Sequence, residues 1–122
     1  AVHTHMTNSR LTDPEVLEHR FPVMLEDFRI RQASSGRGKW SAGNGTERTL
    51  VFLEEMDCAI LSSHRTIPPH GLKGGRNGTV GMTRVRRADG TFETLEGCDQ
   101  IRVGRGDAVI VTTPTGGGYG TP

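Results

Sequence analysis

Aromatic side chains are scarce in this 122-residue chain, which has one Trp, one Tyr and four Phe, and hydrophobic residues of all kinds reach only 33%. The length suits one domain, so a single thin core is the expectation, supported by a partner surface or by sequence outside the chain. Cysteine is nearly absent. Cys58 and Cys98 form no C-x-x-C and no zinc-ligand spacing. That excludes a disulfide framework and leaves two buried free thiols as the expectation. No apolar run approaches membrane-span length, and no charged-then-apolar leader opens the chain. The expectation is a cytoplasmic protein with no membrane partner. An excess of either charge is missing too, since 15 basic against 14 acidic residues give +1. Nucleic acid is therefore not an expected partner. The local basic clusters Arg29/Arg31 and Arg84/Arg86/Arg87 read as solvated strand faces.

Glycine is plentiful, at 17 residues, and gathers in three places: 33–45, 68–81 and 116–120. Each reads as a loop, and 68–81 is too long to be mere connection. One helix start is legible. Thr12-x-x-Glu15 fits a capping box, while Asp13-Pro14 fits an N-cap followed by proline at the first helical position. The helix must be short, because Pro22 turns Phe21 toward extended geometry.

The remaining segments read as strands. In 23–31 (VMLEDFRIR), Phe28 and Ile30 share one face and Arg29 and Arg31 the other. Val23 and Leu25 have the opposite parity, which a bulge near Glu26 and Asp27 reconciles. Residues 49–54 (TLVFLE) suit a central strand. Residues 56–62 (MDCAILS) either return as a tight hairpin or continue as one bulged strand. Thr83 to Arg87, Ala88-Asp89-Gly90 and Thr91 to Leu95 make the clearest hairpin. Ile101 and Val103 mark a short strand, and 108–113 (AVIVTT) a buried one. The predicted architecture is mainly β, a sandwich or partly closed barrel with long glycine-rich loops and one short helix near the N-terminus.

The candidates for chemistry are sparse. His3-x-His5 places two imidazoles on one face of a strand, but a third ligand from Asp13, His64 or His70 has no motif spacing, so no metal site is predicted and His3 and His5 are weak candidates only. The glycine loops lack GxxxxGK[ST] and any GxGxxG between strand and helix, so tight turns and close backbone packing explain them better than phosphate binding. Ser62 and His64 share a strand face and offer a weak dyad with no third member. Glu15 and Glu18 lie one turn apart on the helix, where capping and solvation account for them, and are kept as catalytic candidates with His5 and Asn8. Trp40, in a glycine-serine loop, either plugs the end of the sandwich, the simpler expectation, or joins His70 and the glycine loops in an exposed binding or docking surface.

Several blocks of this chain resemble the C-terminal region of the hydantoinase B and 5-oxoprolinase family. They are His5-Met6-Thr7-Asn8, Thr12-Asp13-Pro14-Glu15-Val16-Leu17-Glu18, Arg20-Phe21-Pro22-Val23, Ser35-Gly36-Arg37-Gly38-Lys39-Trp40 with Gly43-Asn44-Gly45, Pro68-Pro69-His70-Gly71-Leu72-Lys73-Gly74-Gly75, Gly106-Asp107, and Thr113-Pro114 with Gly116-Gly117-Gly118-Tyr119-Gly120. They occur in the family's order over nearly the whole chain. Two positions depart from the family pattern. Asn44 stands where an aspartate is usual, and Thr115 interrupts the terminal glycine run with a β-branched residue that resists positive φ.

The resemblance implies a single β-rich domain over 1–122, the C-terminal part of a larger hydantoinase B-type subunit and inactive alone. It implies ATP-dependent opening of a cyclic amide such as 5-oxoproline or a hydantoin, with ATP phosphorylating the ring carbonyl before water cleaves the amide. ATP and a divalent metal are implied for the full enzyme, with no cofactor inside this chain. The implied partner is a hydantoinase A-type ATP-binding subunit or fused domain, within an oligomer. Thr7, Trp40, His70, Gly74, Gly75, Gly117, Gly118 and Tyr119 are expected to face substrate or that partner. A related ATP-dependent ketone carboxylase and a non-catalytic β docking module are the alternatives.

Overall fold

A computed structural model describes residues 10–122. The first element is helix α1 (Pro14–Arg20), and Asp13 is its cap: the Asp13 carboxylate accepts the Glu15 N–H at 2.9 Å. Of the two possible starts, the aspartate prevails, with proline at the first helical position. Phe21 is extended at the other end, as Pro22 requires. Leu17 packs against the core, and Glu18 accepts the Leu25 N–H at 2.8 Å, fastening the helix to the strand that follows. Replacing Asp13 with Ala should lower stability by about 1 kcal/mol through this cap alone. An unchanged urea midpoint would show that α1 is held by Leu17 and Glu18 without it.

Seven strands follow: β1 (Val23–Ile30), β2 (Thr46–Phe52), β3 (Met56–Leu61), β4 (Met82–Arg86), β5 (Phe92–Leu95), β6 (Cys98–Val103) and β7 (Ala108–Thr112). Five form an antiparallel sheet in the order β1-β2-β7-β4-β5, and β3 pairs with β6 in a separate two-stranded sheet. The sheets do not close into a barrel, so of the two expected architectures the open sandwich holds. The smaller sheet covers one face of the larger. Val23, Phe52, Val85, Leu95 and Val109 meet Val103, with Met56, Cys58, Ile60 and Ile101 packed around them.

The β1 bulge falls between Leu25 and Asp27 as its parity requires, and the Asp89-Gly90 turn joins β4 to β5. Neither expected connection between β2 and β3 occurs. Met56, Cys58 and Ile60 on β3 are the apolar half of a strand that crosses over to cap the core, and its partner lies 40 residues on in β6. Phe28 and Ile30 do share a face, but they remain 43% and 55% exposed, because β1 is an edge strand reaching past the smaller sheet, where Arg48 lies over the Phe28 ring. The cysteine expectation also needs correction: Cys58 is half-buried, its thiol pKa raised by burial, whereas Cys98 is exposed because it opens β6 on the outward parity.

On the open face of the larger sheet, Ala108 and Ile110 are buried although no strand or helix among the described residues covers them. Arginine stems from neighbouring strands lie alongside, with their heads paired in Arg29–Glu47, Arg84–Glu47 and Arg86–Glu26. The Arg29 hydrogen bond holds the Glu47 carboxyl below its usual range against the opposing effect of burial.

The sheet register decides where the loops go. Ile30 lies opposite Thr46, Glu47 opposite Thr112, and Met82 opposite Thr112. The β1–β2 loop, the long segment entering β4 and the segment after β7 therefore all leave one end of the sheet. These are the three glycine-rich segments. The opposite end carries the Asp89-Gly90 turn and the Gly104–Asp107 turn.

Candidate functional site

At that shared end the three segments, 31–45, 62–81 and 113–122, assemble backbone against backbone. Trp40 and Tyr119 exchange both of their backbone hydrogen bonds, at 2.9 and 2.8 Å. On the other side of Tyr119, the Leu72 N–H donates to the Gly118 carbonyl at 2.9 Å and the Gly120 N–H donates to the Leu72 carbonyl at 2.8 Å. The Gly36 N–H reaches the Gly116 carbonyl and the Arg76 N–H the Arg37 carbonyl. Tyr119 thus sits on the middle strand of a small sheet that no single segment builds.

Glycine makes this approach possible. A Cβ on Gly75 would stand 2.2 Å from the Gly118 carbonyl oxygen, and one on Gly117 would stand 2.1 Å from the His70 carbonyl oxygen. The turn 72–75 brings the chain back for it. The Gly75 N–H donates to the Leu72 carbonyl, and both central residues, Lys73 and Gly74, have positive φ of 51° and 87°. For Lys73 that conformation costs about 1–2 kcal/mol, which the surrounding hydrogen bonds offset.

Thr115 shows why its departure from a glycine run does no harm. It avoids positive φ and is 3% exposed. Its hydroxyl donates to the Ser34 carbonyl at 2.8 Å and accepts the Thr79 N–H at 2.8 Å, tying all three segments. Asn44 likewise has no left-handed backbone and lines, with Thr46, Thr113 and Pro114, a depression of about 440 Å³ whose described lining residues include no titratable side chain.

Paired neighbours on a sheet share a face, so Trp40, Tyr119 and Leu72 stand side by side. All three are exposed, at 67%, 49% and 62%. Trp40 therefore does not plug the sandwich. Its bridge to Tyr119 holds its backbone out on the small sheet, beyond the core strands. Leu72 is the member that sequence reasoning did not single out. A lone leucine between His70-Gly71 and Lys73-Gly74 was the available signal, but only the register reveals its neighbours.

Gly74, Gly75, Gly117 and Gly118 all belong to this assembly, and His70 joins it through its backbone carbonyl beside Gly117, its side chain lying exposed. Glu15 and Glu18 lie on α1 and are not brought to it: Glu15 is in the first turn, and Glu18 is engaged with the Leu25 amide. His3, His5, Thr7 and Asn8 lie outside the described residues. Ser62 and His64 border a second depression of about 410 Å³ without forming a dyad. The Ser62 hydroxyl donates to the Gly97 carbonyl, and Nδ1 of His64 faces the Ile67 carbonyl, so it acts as the donor.

The described residues fit neither of the implied cofactors. They contain no group of three or more His, Cys, Asp or Glu side chains placed to hold a metal. The glycine turns carrying Lys39 and Lys73 open no helix that would receive a nucleotide phosphate. None of their helices is long and apolar enough to cross a membrane.

A family model described as hydantoinase B/oxoprolinase matches residues 1–122. A 5-oxoprolinase from Saccharomyces cerevisiae is 46% identical over 107 residues, covering 87% of this chain and 8% of that protein. One from Dictyostelium discoideum is 39% identical over 120 residues, covering 98% of this chain and 10% of that protein. The crystal structure of an ATP-dependent caprolactamase from Pseudomonas jessenii matches with a TM-score of 0.79 and 27% identity, over 90% of this chain and 20% of that one. The chain spans about a tenth of the length of the first curated relatives it matches.

Proposed function

This chain belongs to the hydantoinase B/oxoprolinase family, and from that premise we propose that it is the C-terminal β-rich region of a larger cytoplasmic enzyme that opens a cyclic amide at the expense of ATP. The observation that carries the reading is the match itself: relatives named for 5-oxoproline, itself a cyclic amide, align with 87% and 98% of the chain at 46% and 39% identity. Those names, with the caprolactamase, favour amide hydrolysis over carboxylation of a ketone.

In this reading the 122 residues do not perform the chemistry alone. Their part is to hold a rigid surface, the small sheet built from three loops, against the region that does. ATP and any metal belong with sequence outside the described residues, in a hydantoinase A-type subunit or fused domain and in upstream sequence. The exposure of Trp40 also suits a free-standing docking module, and the two readings separate experimentally. The native protein carrying this sequence, purified from its source with any associated subunit, should be incubated with ATP and 5-oxoproline, caprolactam or a hydantoin. Ring-opened acid released together with ADP is expected from one of the three, and the 122 residues alone should give none. Absence of ring opening with all three, in a protein that binds a partner through this chain, would leave the docking module standing.

A further inference from the structure

The glycine-rich segments at this end of the molecule are chemically one-sided. Segments 31–46, 62–81 and 113–122 hold Arg31, Arg37, Lys39, Arg65, Lys73 and Arg76 and not one aspartate or glutamate. Residues 1–9 hold no acid either. In a chain with a net charge of only +1, most of the balancing carboxylates lie on α1, the strands and the far-end turns, and seven of them pair with Arg29, Arg84, Arg86, Arg87 and Arg102; Glu96, in the β5–β6 turn, and Asp99, at the start of β6, are the acids beside the loop end. None of the six cations at the loop end forms an ion pair among the described residues. Through the middle of this cationic end runs the apolar ladder Trp40–Tyr119–Leu72, all three side chains about half exposed or more.

We propose that this ladder docks onto an acidic, apolar-centred surface of the same polypeptide, supplied by sequence outside these 122 residues. The inference rests on the functional reading above and specifies the contact within it. Two β-bridges set three segments side by side, so the ladder is a strip roughly 10 Å across, whereas small molecules bind in concave sites. An apolar strip with a charged surround is the form of a protein contact. A second copy of this chain is disfavoured, because a two-fold contact would set one cationic end against another. The rest of the polypeptide is available in quantity, since the chain spans about a tenth of the relatives' length.

The test uses the full native protein with a photo-reactive amino acid in place of Leu72, an exposed position that no core residue depends on. Cross-linked peptides from outside the 122 residues, rich in Asp and Glu, are expected. The double variant Lys39→Glu, Lys73→Glu should cut that yield at least tenfold, while Lys39→Arg, Lys73→Arg should retain it. Cross-links confined to these 122 residues or joining two copies would overturn the docking surface, as would a yield indifferent to charge reversal. The outcomes remain separable from the functional reading. An enzyme that opens a cyclic amide with ATP yet cross-links only copy to copy keeps its function and loses this contact. Recovery of the sequence only as a 13.3 kDa protein ends both.

Discussion

Replacing Gly117 with alanine is expected to disrupt the whole loop end and to destabilise the protein by more than about 3 kcal/mol. The added methyl carbon would lie 2.1 Å from the His70 carbonyl oxygen, 2.4 Å from its carbon and 2.6 Å from the Gly71 nitrogen. All three are backbone atoms, so no rotamer change relieves the clash. Moving the 70–72 backbone away would break the Leu72 hydrogen bonds to Gly118 and Gly120, and with them the strand that carries Tyr119. Gly104 supplies the comparison. An added Cβ there would meet only an Asp107 carboxylate oxygen, at 3.9 Å, so Gly104→Ala should stay within about 0.5 kcal/mol of the parent. Urea midpoints of the two variants decide the matter, and a Gly117→Ala protein within 1 kcal/mol of Gly104→Ala would mean that the loops repack freely.

The second large effect belongs to the opposite end of the sheet. Asp107 is nine-tenths buried and accepts three hydrogen bonds of 2.9 Å, from the Gly104 N–H, the Ala88 N–H and the Arg87 guanidinium. One carboxylate thereby joins the turn before β7 to the β4–β5 hairpin. Asp107→Ala leaves two amides and an arginine without their acceptor and should cost about 2–4 kcal/mol. Burial alone would raise the Asp107 pKa, but the Gly104 amide, Arg87 and the Ala88 amide together outweigh it and hold the group below the usual carboxylate range. The unfolded chain, with an ordinary pKa near about 3.9, takes up the proton first. The contribution is therefore fully present above that unfolded value and is lost as pH falls through the lower folded one. Asp107→Asn should be less stable than the parent at neutral pH, and the difference should shrink as the solution is acidified below pH 4. A difference independent of pH would assign the effect to shape rather than charge.

What could be read from the residues was local. Asp13-Pro14 starts a helix because the cap reaches two residues, the parity change between Leu25 and Phe28 requires a bulge wherever the strand lies, and Asp89-Gly90 closes a hairpin between its own neighbours. What escaped was set by distant partners. Nothing between Glu54 and Met56 records that β3 will join β6. Phe28 and Ile30 have the pattern of core residues and lie exposed because the covering sheet, two-stranded among the described residues, does not reach them. The glycine clusters were legible as loops, and the family resemblance marked Thr7, Trp40, His70, Gly74, Gly75, Gly117, Gly118 and Tyr119 as expected to face substrate or a partner. Their stacking was not legible, because a glycine chosen for close approach looks the same as one chosen for a turn. Thr115 departs mildly from a glycine run in sequence, and the reason for it lies in distant partners, since its hydroxyl reaches Ser34 and Thr79.

The middle strand of the small loop sheet is also the last of its three strands to be synthesised. Trp40 and Leu72 leave the ribosome well before Tyr119, and Gly36 waits about 80 residues for Gly116. At about 5–20 residues per second that delay is roughly 4–16 s, during which an unpaired backbone edge at Trp40 and Leu72 is open to chaperones and to other nascent chains. A translation product that stops short of Gly116 leaves that backbone edge unpaired. The fold of the loop end is therefore completed only when 116–120 closes between its two neighbours.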